Sequence, residues 1–194
     1  LCMVSAGAGN KKAFGMDRSS NSWADLAHAE VIIITGANIS ECFPVLTYRI
    51  WEARDNGAKI IVIDPRVIPL ARTADVHLPL RSGTDTALMS TMLKVLIDND
   101  WLDHDFIDNY TSGWEETAKT VEHCTLEWGE EITGVPKELI YKAAEMWGKA
   151  KTSFLVHARG IEQQSKGVLN VLSCINLVLA TGRIGKPYCG YGTI

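Results

Sequence analysis

The stretch EVIIITGAN (residues 30–38), read with PVLTYRIWEARDNG (44–57) and AKIIVIDPR (58–66), decides the fold. Val31 to Ile34 are a run of β-branched apolar residues of strand length, stopped at Gly36. Pro44 suits the first turn of a helix and Gly57 its C-terminal stop, with Val45, Tyr48, Ile50 and Trp51 as the expected inward stripe. AKIIVIDPR is a second buried strand, closed by Asp64-Pro65. Strand, helix and strand within about 35 residues make a βαβ unit, which requires parallel strands and a right-handed crossover.

The rest of the chain extends this unit. DVHLPL (75–80) predicts a third short strand, and SGTDTALMSTMLKVLIDND (82–100) predicts a helix with Leu88, Met92, Val95 and Leu96 on one face. Further helical stretches follow, ending in PKELIYKAAEMWGKA (136–150), which turns Leu139, Ala143, Met146 and Trp147 inward. TSFLVHARG (152–160) predicts another strand entering a glycine loop, and GVLNVLSCINLVLATGRIG (167–185) a helix apolar enough to be buried on most sides. Upstream, RSSNSWADLAHAE (18–30) reads as a loop leading into a short helix. The expected class is α/β, with helices covering a mainly parallel sheet.

Composition narrows the function classes. The 194 residues carry a net charge of −4, which gives no electrostatic case for a nucleic acid or an anionic membrane. No apolar run approaches the roughly 18–20 residues of a membrane helix. The five cysteines, Cys2, Cys42, Cys124, Cys174 and Cys189, are odd in number and form no CxxC pair. That argues against a disulfide framework or a zinc site and for a reducing, cytoplasmic location. A chain that starts Leu-Cys-Met reads as an internal segment, so an export signal would lie upstream.

Four features fall at predicted strand ends, where open α/β sheets bind ligands. Gly36-Ala37-Asn38, followed by Ser40 and Glu41, is either an amide cradle for an anion or a plain loop, and it is not GxGxxG. Asp64-Pro65-Arg66 stands where a Rossmann-type fold places an acid against a ribose; a strand-ending proline beside a surface ion pair is the alternative. Ser82-Gly83-Thr84-Asp85 either caps the following helix or offers a carboxylate to the ring N–H and exocyclic amine of guanine. In HARGIEQ (157–163), Gly160 permits a turn, Arg159 and Gln163 offer donors, and His157 reads as a core histidine. These features point to a nucleotide-like ligand across several strand ends.

In the order LCMVSAG, TGANISECFP, KIIVIDPR, TADVHLPLRSGTDTALM, ARGIEQ and NLVLATGRIGKP, the chain resembles the molybdopterin oxidoreductases of the dimethyl sulfoxide reductase superfamily over essentially all of its 194 residues. The resemblance implies a Rossmann-like α/β domain over 31–194, preceded by an active-site segment over 1–30, within a larger multidomain catalytic subunit. It implies bis-molybdopterin guanine dinucleotide carrying Mo or W as cofactor, with a [4Fe-4S] cluster in a region upstream. Cys2 matches the metal-ligating, catalytic cysteine of nitrate-reductase-like members. Gly36, Asn38 and Glu41 match the first nucleotide loop, Asp64 and Arg66 the second, and Gly83 and Asp85 the guanine loop. Arg159 and Gln163 match a pair near the metal, although Arg159 stands where many nitrate reductases have Met. Cys42-Phe43-Pro44 likewise departs from the family's usual His-containing pattern.

The implied partners are a small anion, nitrate or formate, and an electron-transfer protein or subunit. Formate dehydrogenases of this family usually follow the cysteine or selenocysteine with His, whereas Met3 follows Cys2 here, which favours oxygen-atom transfer from nitrate. Formate oxidation, a non-catalytic role like that of the large iron–sulfur subunit of respiratory complex I, and a general nucleotide-binding module are the alternatives.

Overall fold

The computed structural model describes residues 2–194. Its five strands are β1 (Val31–Thr35), β2 (Lys59–Ile63), β3 (Val76–Leu78), β4 (Ser153–His157) and β5 (Gly190–Thr193). They form one sheet in the order β3-β2-β1-β4-β5, and every pairing is parallel. The helices are α1 (Val4–Phe14), α2 (Ile39–Cys42), α3 (Pro44–Asp55), α4 (Asp85–Asp98), α5 (His104–Tyr110), α6 (Trp114–Thr120), α7 (Leu126–Thr133), α8 (Lys137–Lys149), α9 (Arg159–Glu162) and α10 (Gly167–Ala180). The α/β class and the βαβ nucleus of β1, α3 and β2 agree with the sequence reading.

Strand alternation divides the sheet between two apolar layers. Ile33, Ile61, Ile63 and Leu155 face a layer built from α4, α8 and α10. Their neighbours Ile32, Ile34, Ile60, Val62, Phe154 and Val156 face the opposite layer, with Leu46, Ile50 and Ala53 of α3. Each buried Ile or Leu contributes about 1.5–3 kcal/mol. Inward Trp147 is fully buried, and its indole N–H donates to Thr181 Oγ1 at 3.0 Å.

The expected face of α3 is corrected by the structure. Leu46, Thr47, Ile50 and Ala53 turn to the sheet, while Val45, Tyr48 and Trp51 are 72%, 68% and 42% exposed. Leu46, Ile50 and Ala53 follow the i, i+4, i+7 helical period and join the apolar layer over Ile32, Ile34 and Ile60. The aromatic residues of the expected stripe point the other way.

Besides the one-turn helices α2 and α9, which fall where the sequence reads as loops, two elements have no counterpart in the sequence reading. Helix α1 packs on α10, with Ala6 and Gly9 buried, and a Cβ on Gly9 would lie 2.5 Å from Val171 Cγ1. The small residues after Cys2 therefore bring two helices together. Strand β5 contains Gly190 and Gly192, where a Cβ would meet the rings of Phe154 and Trp23 at 2.5 Å. Its free edge is covered by Ser20, whose amide donates to Tyr191 O at 3.0 Å and whose Oγ accepts from Tyr191 N at 2.8 Å.

The Phe154 ring is fully buried and has no room to retreat. Gly190→Ala is therefore expected to cost about 1–3 kcal/mol by overpacking, read as a lower urea midpoint. A midpoint equal to the parent would refute the close contact.

Candidate functional site

The strand order places a topological switch point between β1 and β4, because the chain leaves these adjacent parallel strands in opposite directions. Gly36 follows β1 with φ of 57°, and Gly160 is the second residue of α9, shortly after β4. Gly160 N–H donates to Gly36 O at 2.9 Å. A Cβ on Gly36 would stand 2.7 Å from Ile161 N, and one on Gly160 would stand 2.6 Å from Gly36 O. Only glycine at both positions permits this approach.

Two cavities meet at that contact and share Gly36, Asn38 and Gly160. The smaller, about 230 Å³, is walled by Asp64, Arg66, Ser82 and Asp85, with Gln164 beside them. Asp64 and Asp85 are buried, and Asp64 Oδ1 accepts from the Arg66 amide at 2.8 Å, which fixes the turn after β2. Gln164 Nε2 donates to Asp85 Oδ2 at 3.1 Å. Two buried carboxylates make this an acceptor-lined slot, suited to a ligand edge of N–H and O–H donors.

The larger cavity, about 600 Å³, lies at the other end and is mostly apolar, with Trp23, Phe43 and Met3 in its wall and Arg159 as its cation. Cys2 is exposed beside it, and Gln163 Nε2 donates to Cys2 Sγ at 3.8 Å. Thus Cys2, Gln163 and Arg159 gather at one end, while Asp64, Arg66 and Asp85 gather at the other. Gly83 takes φ of 87° in the loop that delivers Asp85 to the first turn of α4. Thr84 Oγ1 donates to Arg81 O at 2.6 Å and does not cap the helix. Glu41 is exposed on α2 and stands outside both cavities.

Behind Arg159 lies a buried polar chain. Asn10 Nδ2 donates to Asp17 Oδ1 at 3.1 Å, which turns Asn10 Oδ1 toward the Tyr191 hydroxyl at 3.0 Å. The hydroxyl donates to Asn10 and accepts from His157 Nε2 at 2.6 Å. His157 Nδ1 then faces Glu162 Oε1 at 3.2 Å. Thr193 Oγ1 donates to the same Glu162 oxygen at 2.8 Å, and Glu162 Oε2 pairs with Arg159 Nη1. Burial pushes His157 down. Burial alone would raise Glu162, but the His157 and Thr193 hydrogen bonds and the Arg159 charge carry it below the usual range.

His157 is the core histidine that the sequence suggests. Gln164 and Glu162 lie in or beside the quoted motif without any spacing that marks them. Gln164 bonds Asp85, 79 residues away, and Glu162 accepts from Thr193, 31 residues away, so only the folded chain forms these bonds, while the Glu162–Arg159 pair is an i, i+3 contact within the motif. Among the described residues no three His, Cys, Asp or Glu side chains converge as a metal cage. Nor is any helix among them long and apolar enough to cross a membrane.

Burial raises the Asp85 carboxyl, against the lowering effect of the Gln164 hydrogen bond. The folded state therefore binds that proton more tightly than the unfolded chain, and folding stability falls as pH rises through the folded pKa. Asp85→Asn is expected to leave the thermal midpoint at pH 7 equal to or above the parent, with the gap closing on acidification toward pH 4. A midpoint clearly below the parent at pH 7 would contradict a net burial penalty.

The family model for molybdopterin oxidoreductase matches residues 1–194. The assimilatory nitrate reductase catalytic subunit of Bacillus subtilis is 42% identical over 195 residues, covering 100% of this chain and 28% of its own length. An F420-dependent formate dehydrogenase alpha subunit of Methanococcus maripaludis is also 42% identical, covering 92% of this chain and 27% of its own length. Formate dehydrogenase H of Escherichia coli is 36% identical, covering 96% and 26%. Among solved structures, acetylene hydratase from Pelobacter acetylenicus superposes with a TM-score of 0.79 at 29% identity, covering 93% of this chain and 25% of that one. The chain thus spans about a quarter of the length of the curated relatives it matches.

Proposed function

The chain belongs to the molybdopterin oxidoreductase family, and from that premise we propose that its strand-end groove holds the guanine-dinucleotide form of the pterin cofactor in an enzyme that reduces nitrate. The carrying observation is the polarity of the groove, with an acceptor-lined slot at Asp64 and Asp85 and a thiol and a guanidinium at the other end.

The residues present fit such a group. Asn38 Oδ1 and Ser40 Oγ are buried without a hydrogen-bond partner, beside a glycine pair that keeps the groove floor free of side chains. Asp85 would take the ring N–H and amine of guanine, and Asp64 a ribose hydroxyl. Buried carboxylates suit both tasks, because each ligand donor satisfies an acceptor that water reaches poorly. Gly36 lets the backbone approach a diphosphate closely, with Asn38 beside it. Cys2 would give the metal one soft thiolate, steadied by Gln163. When bound, the metal and its dithiolenes supply the redox and atom-transfer chemistry. Arg159 would hold an anionic substrate by charge-assisted hydrogen bonds in a mostly apolar cavity. Electrons would arrive from an iron–sulfur cluster outside these residues.

Met3 lines the large cavity, so the position after the thiolate offers no titratable group to receive a proton from formate. That supports nitrate over formate. Formate oxidation is the second reading, favoured by the formate dehydrogenases among the relatives.

In the full-length protein, Cys2→Ala is expected to lower both metal content and nitrate turnover by at least about 100-fold; retention of both would end the ligand assignment. Parallel nitrate and formate assays decide the substrate, and turnover of formate alone would install the second reading. Asp85→Asn is expected to weaken binding of guanosine nucleotides about tenfold or more and to leave adenosine nucleotides unaffected. Equal losses for both bases would remove the guanine assignment.

A further inference from the structure

We propose that Glu162 is a positioning residue that fixes the Arg159 guanidinium in the wall of the large cavity to receive an anionic substrate, an inference that rests on the reading of Arg159 given above. The Glu162 side chain is fully buried, whereas the Arg159 side chain is 25% exposed. The two oxygens of Glu162 are divided between tasks. Oε1 accepts from Thr193 and faces His157, which leaves Oε2 to Arg159. A guanidinium has five N–H donors, so one carboxylate oxygen tethers it and leaves donors for the cavity.

The support behind Glu162 is also fixed. His157 leans on Tyr191, and Tyr191 leans on Asn10 of α1, the helix that begins two residues after Cys2. Arg159 is thereby referenced to the same helix that follows the thiol. Without this tether a long, flexible arginine would sample many rotamers at the cavity mouth, and the entropy of ordering it would be charged to substrate binding. A buried carboxylate is costly to retain for stability alone, since apolar replacements of such pairs are often neutral or better. Its placement is accounted for by the orientation it imposes on Arg159.

The test uses the full-length, metal-loaded protein with Arg159→Ala, Glu162→Gln, the double variant and Thr193→Val. The readouts are KM and kcat for nitrate, and the Kd of nitrate for the oxidised, non-cycling protein by titration calorimetry. Glu162→Gln is expected to raise KM and Kd about tenfold while kcat stays within about threefold. The double variant is expected to match Arg159→Ala, because the two residues act through one interaction. Thr193→Val, which removes a donor to Glu162 without touching Arg159, is expected to raise KM about two- to threefold.

A Glu162→Gln protein with parental KM and Kd beside a weakened Arg159→Ala protein would overturn the proposal, even if its melting temperature fell. Additive losses would overturn it as well, since Glu162 would then act independently of Arg159. If Arg159→Ala itself left KM and Kd at parental values, the substrate-binding reading of Arg159 would be at fault instead. Should Glu162→Gln fail to accumulate folded, Thr193→Val is measured alone and in the Arg159→Ala background, because Thr193 also lines the cavity: a KM raised in the single variant and not raised further in the double supports the proposal, and a parental KM or an additive loss overturns it.

Discussion

The contact between Gly36 and Gly160 governs the site. Two loops leave adjacent strands at the switch point, and the hydrogen bond from Gly160 N to Gly36 O joins them where any Cβ would collide with backbone. The two cavities share this pair as their floor, so one backbone contact sets both the distance and the orientation between them. The sheet supplies rigidity, through strands paired on both sides in register from Val31 to Thr35. The loops supply chemistry. Their meeting point is where rigidity passes from one to the other, and it needs the residue type that has no side chain.

The legible part of the fold was the part written in β-branched residues. VIIIT and KIIVI are unmistakable because every residue but Lys59 is buried, so neither strand shows alternation. The elements that escaped were those where close packing demanded small residues. Helix α1 meets α10 through Ala6 and Gly9, and β5 meets aromatic rings through Gly190 and Gly192, so both lack an apolar signature. On α3 the aromatic residues suggested the wrong face because bulk on an exposed surface looks the same in a sequence as bulk in a core.

The site was legible to a similar limit. Gly36, Asn38, Asp64, Arg66, Asp85 and Arg159 were visible because each follows a strand, and the structure brings them along one groove. Gln164 was not, since its partner Asp85 comes from a different loop. Glu162 was hidden in plain view within its motif, because a glutamate on one turn of helix reads as a solvated charge. Only the burial of its carboxylate against His157 and Thr193 distinguishes it.

The bonds between Ser20 and Tyr191 have a consequence beyond holding β5 in place. An open parallel sheet ends in two exposed rims, and each rim invites another chain to add a strand. Here one rim is β3, only three residues long. The other is sealed at its centre, because Ser20 engages both the amide and the carbonyl of Tyr191. Among the described residues, the β5 rim is therefore blocked at its centre by Ser20 and the β3 rim offers only three residues, so little bare edge is left beside the loops that work at the ligand end.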